Sequence, residues 1–385
     1  MNKNINLNFL RKRFYSYYIN PKIDFPKRFE RREYAFILFG EEIMHRHISF
    51  NSKNLLLDYL KANVPMHAYY SSAYYQNPSA DNMNEKKWMG ADLIFDLDAD
   101  LDAESLKNLT YEESLIKIKE ELIKLLDFLI EDFGFSKKDI AIYFSGHRGY
   151  HCHVCNKRIL ELGSQERREI IDYIMARGLE LKEIVEERYI YRGKYVDKTI
   201  KINPNKGGWA GRLSKAIIEF FNEIRKMDEE KAIKELMKIE GIGEKIARKI
   251  YDMLHDKRKM ERIKQGRIDQ ATEFKKIIKP LIKEMAISLY SQTDEPVTAD
   301  IKRLIRLPGS LHGKTGLRVA KVDKIEEFEP LINAIAFGDD LIKIKVEKPF
   351  KIRMMENEFK LNKGIVKVPE YVAIFAIAKK FATHL

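Results

Sequence analysis

The feature that most constrains this chain is the octapeptide ADLIFDLD at 91–98. Its side chains alternate with the period of a strand. Leu93, Phe95 and Leu97 fall on one face, and Asp92, Ile94, Asp96 and Asp98 on the other. The first face must close on a core. The second holds Asp96 and Asp98 two residues apart, with ~6–7 Å between their Cα atoms from the strand rise. Without a cation the two charges repel, and one is pushed toward protonation. Oxygen donors on a rigid strand suit Mg²⁺ or Mn²⁺. An equally good reading is a strand running out into a solvated acidic loop, because Asp100 and Asp102 continue the series. An EF-hand calcium loop is excluded. Counted from Asp96, its glycine position holds Leu101 and its closing glutamate position holds Lys107.

The rest of the chain is built to carry a core around such a strand. Its 385 residues allow roughly two or three domains. Hydrophobic residues at 45% and charged residues at 33% exclude bulk disorder. Lys and Arg number 70 against 58 Asp and Glu, a net charge of +12. That excess favours a polyanionic partner, nucleic acid or nucleotide. No apolar run reaches the ~18 residues of a membrane span. Tyr371 to Ala378 is too short, and MNKNINLNFLRKRF lacks the order of a signal peptide. Cys152 and Cys155 are the only cysteines, so no disulfide framework is expected. The expected compartment is reducing and cytoplasmic.

Coarse periodicity predicts a helix over 5–20 that packs its aromatic residues inward. Strands are predicted at 33–39 and 45–50, and a helix over LLLDYLKANVP ending before Pro65. A long helix is predicted from Thr110 to Asp132, opened by a Thr110/Glu113 capping box and closed at Gly134. Strands at 140–144 and 150–155 flank a tight turn. From about 214 to 284 the sequence turns helical and rich in Lys and Glu. Strand and turn patterning resumes at 297–323, and the tail from Val346 is basic and then apolar. The fold class expected is α+β with an inserted small all-helical subdomain. The expected boundaries place the core in two segments, 1–213 and 285–345, with the helical insert at 214–284 between them. A basic strand with a C-terminal helix follows at 346–385.

Two further segments carry phosphate chemistry. Ser145-Gly146-His147-Arg148-Gly149 stands between two strands, followed by Tyr150 and His151. Its glycines allow close backbone approach, and a hydroxyl, a guanidinium and an imidazole suit an anion. DEPVTADIKRLIRLPGSLHGKTG at 294–316 sets Arg303, Arg306, His312 and Lys314 near Asp294. Its alternative reading is a solvated basic loop, weakened by the apolar Leu304, Ile305 and Leu307 between the cations. His151, His153 and Cys155 share one strand face while Cys152 lies on the other, which breaks a Cys-x-x-Cys pair and disfavours zinc.

FDLD at 95–98, SGHRGYH at 145–151 and the 294–316 stretch together resemble the three motifs of the archaeo-eukaryotic primase small, catalytic subunit, the archaeal form above all. REYAF at 32–36, RHISF at 46–50, GGWAGRL at 207–213 and VPEYVAIFAIAKKFA at 368–382 extend the resemblance over most of the chain. The resemblance implies a primase core with a mixed sheet, and Asp96, Asp98 and Asp294 as ligands of two Mg²⁺ or Mn²⁺ ions. It implies triphosphate contacts from Ser145, His147, Arg148, His151, Arg306 and His312, with Arg46 as a further nucleotide contact. Asp92, Asp100 and Asp300 are not expected as ligands. Many relatives carry a Cys/His zinc knuckle between the first two motifs. Residues 99–144 hold neither residue type, so a structural zinc is not expected, and Leu101, Leu106, Leu109 and Leu115 are expected to pack 101–115 instead.

The activity implied is template-directed synthesis of short primers on single-stranded DNA from nucleoside triphosphates, with a larger regulatory subunit as partner. Alternatives are a gap-filling or end-joining polymerase, a two-metal nuclease, and a non-catalytic nucleic-acid-binding subunit. IEGIGEKIARKI at 239–250 reads equally as a helix-hairpin-helix presenting amides to a phosphate or as a plain helical hairpin.

Overall fold

Leu10, Phe14 and Tyr18 recur every fourth residue, so the N-terminal segment coils as a helix, Asn2–Tyr18, with these three side chains buried. In this computed structural model residues 2–98, 109–192, 195–268, 272–291 and 293–385 are described. They form two units. The first comprises Met1–Ile123, Phe135–Ile171 and Gln292–Leu385, and the second Lys124–Gly134 and Asp172–Ser291.

The first unit holds two four-stranded antiparallel sheets. One runs in the order Leu304–Arg306, Pro65–Ser71, Tyr34–Leu38, His45–Ile48. The expected hairpin at 33–50 is its outer half. Ser52 then caps the helix Lys53–Asn63 by accepting from the Leu55 amide at 3.3 Å, and Pro65 begins the next strand. The other sheet runs Ala320–Val322, Ile140–Phe144, Gly149–Val154, Leu93–Asp98.

Leu93, Phe95 and Leu97 are buried as their alternation requires. The opposite face is not uniformly wet. Ile94 is buried, and so is Asp92, which meets Arg32 at 2.5 Å and accepts from the Tyr74 hydroxyl at 2.6 Å. Asp92 is thereby spent on holding the sheet. The helix expected from Thr110 runs as Tyr111–Asp127 and widens into a π-turn over Phe128–Asp132. Both halves of its capping box form, at 2.8 and 3.2 Å. Leu115 is buried but Leu109 is exposed, so Leu109 does not supply the packing expected of it. Asp100, Leu101 and Leu106 lie outside the described residues.

The segment after Asp294 starts as a helical turn, Glu295–Ala299, where strand patterning was expected from 297; Pro296 favours a helix start. The basic tail folds as two antiparallel pieces. Leu341–Val346 lies between Gly364–Pro369 and Ala382–His384, and Phe350–Met354 pairs with Asn357–Leu361. The apolar run becomes the helix Glu370–Ala378, buried from Tyr371 to Ile377. The two ends of the chain meet: the His384 amide donates to Asn6 Oδ1 at 2.9 Å, and Arg13 pairs with Glu370 at 3.0 Å.

The second unit contains a hairpin, Val185–Arg192 with Tyr195–Ile202, as well as the helices Gly208–Lys226, Glu229–Met237, Glu244–His255, Lys257–Lys264 and Thr272–Leu289. It therefore begins before residue 214 and includes strands. GGWAGRL serves its packing. Trp209 donates to the Tyr173 carbonyl at 2.6 Å, and Arg212 grips Asp132 at 3.0 Å and also Asp127. In the 239–250 hairpin Arg248 pairs with Glu229 and Glu244, both at 2.8 Å, and Lys249 with Glu273 at 3.0 Å. Two of its three cations are thus engaged within the unit. Among the described residues, no helix is long and apolar enough to cross a membrane.

Candidate active site

Asp96 and Asp98 project from the same face of their strand, at the edge of the second sheet, and both remain partly exposed. Opposite them on Gly149–Val154 stand His151, paired with Asp96, and Gly149, paired with Asp98. Gly149 is required there. A Cβ at 149 would stand 2.2 Å from the Leu97 carbonyl oxygen and 3.0 Å from the Asp98 Cα. Gly149→Ala is expected to destabilise the protein by ~1–3 kcal/mol as the strands part. Urea unfolding measures that cost. A parallel loss of synthesis would follow from the displaced Asp98 carboxylate.

The third aspartate arrives from far along the chain. Asp294 donates its amide to the Asp96 carbonyl at 2.9 Å and stands at the N-terminal end of the helical turn Glu295–Ala299, with no side-chain bond to its amides. Burial, and then the negative charge of Asp294, push the Asp96 carboxyl up to about 7; Arg303 and Arg306 oppose that shift. The structure therefore brings Asp96 and Asp294 together as mutually repelling groups, with Asp98 on the same strand face. Among the described residues no three His, Cys, Asp or Glu side chains are grouped as metal ligands. The donor chemistry nevertheless fits a hard divalent cation: carboxylates alone, crowded beyond what their own charges favour.

A basic pocket stands beside the aspartates. Arg306, at the end of its edge strand, donates from Nη1 to His67 Nδ1 at 2.5 Å and from Nη2 to His312 Nε2 at 2.9 Å. Its guanidinium lies 4.6 Å from the centre of the Tyr69 ring. Arginine only donates, so both accepting imidazoles must be neutral. Burial followed by the positive charge of Arg306 lowers the His67 pKa to about 2 and that of His312 well below its usual value.

His147 stacks on His312, with ring centres 4.9 Å apart and planes 15° apart. Its Nε2 accepts from Lys379 Nζ at 3.3 Å. Burial, then Lys379, lower its pKa to about 3. The turn beneath is locked. Ser145 Oγ accepts from the amides of His147 at 3.3 Å and Gly149 at 3.2 Å, and the Tyr111 hydroxyl donates to the His147 carbonyl. Gly146 has φ +80°, and a Cβ there would lie 2.8 Å from His312 Cβ. Ser145 thus shapes the turn from within.

His151 is buried, its Nε2 is 3.6 Å from Asp96 Oδ1, and burial lowers its pKa to about 3. It faces Asp96 as a neutral imidazole. Arg148 is half-buried, and its positive charge acts on Lys379. Arg46 sits apart from this group. It lies on the strand at the opposite edge of the first sheet from Arg306, held to Glu33 at 3.0 Å. His67, Tyr111 and Lys379 were missed in the sequence. A histidine inside an apolar strand and a lysine ending an apolar helix carry no spacing signal that would mark them.

The model of the family described as "DNA primase small subunit" matches residues 95–323. The chain is 40% identical to the DNA primase small subunit PriS of Methanothrix thermoacetophila, over 97% of its own length and 98% of the relative's. It is 40% identical to that of Methanosarcina acetivorans, over 98% and 96%, and 39% identical to that of Archaeoglobus fulgidus, over 98% of both chains. The matched segment starts inside the acidic strand and runs through the turn at 145–149, Asp294 and the Arg306–His312 pair. The chain therefore belongs to the DNA primase small-subunit family, an enzyme family of DNA-directed nucleotidyltransferases.

Proposed function

We propose that this protein is the catalytic subunit of a primase that makes short RNA primers on single-stranded DNA, accepting deoxynucleotides as an open alternative. The observation that carries this reading is the adjacency of two different charges: the aspartates 96, 98 and 294 on one side, and on the other the Arg306 guanidinium held against the neutral imidazoles of His67 and His312. Nucleotidyl transfer needs both, because a nucleophile must be activated and a pyrophosphate leaving group must be stabilised. A hydrolytic nuclease needs no cradle for pyrophosphate.

In this reading Asp96, Asp98 and Asp294 hold Mg²⁺ or Mn²⁺, which supplies the Lewis acidity for activating a hydroxyl and neutralising phosphate charge. Arg306 presents a planar guanidinium fixed by His67, His312 and Tyr69, so it meets phosphate oxygens with no reorganisation. The neutral imidazoles of His147, His151 and His312 keep the pocket open to proton donors without adding charge repulsion. Arg148 adds a second guanidinium, and Ser145 shapes the turn that carries it. Arg46 is a contact for a nucleotide or strand farther from the aspartates. A larger regulatory subunit completes the enzyme.

The test is synthesis without a primer. The purified chain is incubated with oligo-dT, labelled ATP and Mn²⁺ or Mg²⁺, and the products are resolved on a gel. New short chains are expected. Extension of a supplied primer alone would favour a gap-filling polymerase, shortening of the template a nuclease, and binding without turnover a non-catalytic subunit.

A further inference from the structure

The C-terminal helix ends in the basic pocket, and its C-cap residue, Lys379, bears a cation that lies outside the three main motifs. Two backbone bonds lock that helix end. The Lys380 amide donates to the Ile377 carbonyl at 3.0 Å, and the Phe381 amide donates to the Ala376 carbonyl at 2.8 Å. This is a Schellman closure, with Lys380 at φ +60° in the position glycine usually takes. A lysine held there costs conformational strain, and the Phe381 ring, stacked on Phe350 with centres 5.0 Å apart, helps to keep it in place. The backbone of Lys379 is therefore fixed.

From that point the Lys379 side chain reaches inward, half-buried. Its Nζ donates to His147 Nε2 at 3.3 Å and lies 5.3 Å from the centre of the Tyr111 ring. An ammonium has three protons, and neutral His147 accepts one. The surrounding charges do not explain its presence. Burial, then Arg148 and Lys314, lower its pKa to about 8, and only Asp98 opposes them. Three cations, Arg306, Lys314 and Lys379, thus act on the His147–His312 pair, and Arg148 acts on Lys379. That stacked pair carries a cation at each end, Lys379 on His147 and Arg306 on His312. An arrangement of like charges in a partly desolvated pocket suits an occupant with several adjacent negative charges.

We infer that Lys379 is a ligand of the nucleotide's triphosphate, set by His147 at the far end of the stacked imidazoles from Arg306. The inference rests on the polymerase reading above and adds a residue from the C-terminal helix to that site. Its role is to bind and position the phosphate chain. The alternative roles for a lysine here are to cap the helix carbonyls or to bind the template.

Three variants of the full chain separate these roles: Lys379→Met, which keeps the aliphatic stem; Lys379→Arg, which keeps the charge; and Asp96→Asn as a catalytic control. The probes are ATP and inorganic triphosphate by calorimetry in Mg²⁺ buffer, with KM values for ATP and for oligo-dT and the melting temperature. Lys379→Met is expected to weaken both triphosphate probes by about 10-fold or more and to raise the KM for ATP in step. Its KM for oligo-dT and its melting temperature should stay near wild type, and Lys379→Arg should recover most of the loss. Unchanged ATP and triphosphate binding in Lys379→Met would overturn the inference. So would a fall in oligo-dT affinity alone, or a drop in melting temperature that accounts for the whole loss. Wild-type protein that binds ATP but makes no polymer, while Lys379→Met does not bind it, would overturn the polymerase reading and leave the triphosphate contact standing.

Discussion

Asp96→Asn is expected to abolish primer synthesis, by about 10³-fold or more, while making the folded protein more stable above neutral pH. The two effects share one cause. Burial and the charge of Asp294 push the Asp96 carboxyl from 3.8 up to about 7. A group whose pKa is raised on folding contributes stability that is fully present below the unfolded value of 3.8 and is lost as pH rises toward 7. Above pH 7 the wild type therefore carries an ionised Asp96 in unfavourable company, and the amide does not. The melting temperature of Asp96→Asn should exceed that of the wild type increasingly from about pH 4 to about pH 7 and level off beyond, by roughly 2–4 °C for each kcal/mol regained. Added Mg²⁺ or Mn²⁺ should raise the wild-type melting temperature and narrow the gap, because a bound cation offsets the same repulsion. A variant that still makes primers would remove Asp96 from the reaction. One with lower stability at about pH 8 would show that the carboxylate is not repelled there.

Arg306→Ala is the second large effect. The guanidinium is held by two imidazole acceptors and lies against Tyr69. Removing it takes away the best-oriented cation in the pocket, leaves His312 Nε2 without its donor and leaves His67 Nδ1 with the Gly313 amide at 3.3 Å. The KM for ATP is expected to rise by about 100-fold, the order of a charge-assisted bidentate contact at about 1.4 kcal/mol per decade. Arg306→Lys should recover little, because a single ammonium cannot donate to both imidazoles and to a phosphate in one plane. The histidines report on the same change. Arg306 is the strongest charge lowering their pKa values, so in Arg306→Ala both should titrate at higher pH, a shift readable in the imidazole proton resonances. An unchanged KM with unshifted histidines would place Arg306 outside the nucleotide pocket.

Some elements could be read from short stretches because their cause is local. The alternation of ADLIFDLD sets that Leu93, Phe95 and Leu97 share one buried face. The Thr110/Glu113 box and Ser52 mark helix starts through bonds spanning three residues. The helix over 5–20 follows from aromatic spacing. Other readings failed where the cause is distant. Leu109 looks like a packing residue until the fold leaves it at the surface. The helical turn at Glu295–Ala299 sits where residue pattern suggested strand. Arg46 is a different case: its strand lies at the opposite sheet edge from Arg306, a placement that residue order alone does not show.

The chemistry divides the same way. The amino-acid order determined that Asp96 and Asp98 share a face, that a glycine-bracketed basic turn lies between two strands, and that a second basic segment follows Asp294. These follow from the two-residue period of a strand and the geometry of tight turns, which act over a few residues. Tertiary structure alone decided that the Asp294 amide meets the Asp96 carbonyl, that Arg306 is clasped by His67 from another strand, and that the last helix delivers Lys379 to His147. Those contacts arise from the pairing of strands and the burial of helices distant in sequence. Burial is also what moves the pKa values of Asp96, His147 and Lys379, since the cost of a charge depends on which residues surround it rather than on which precede it.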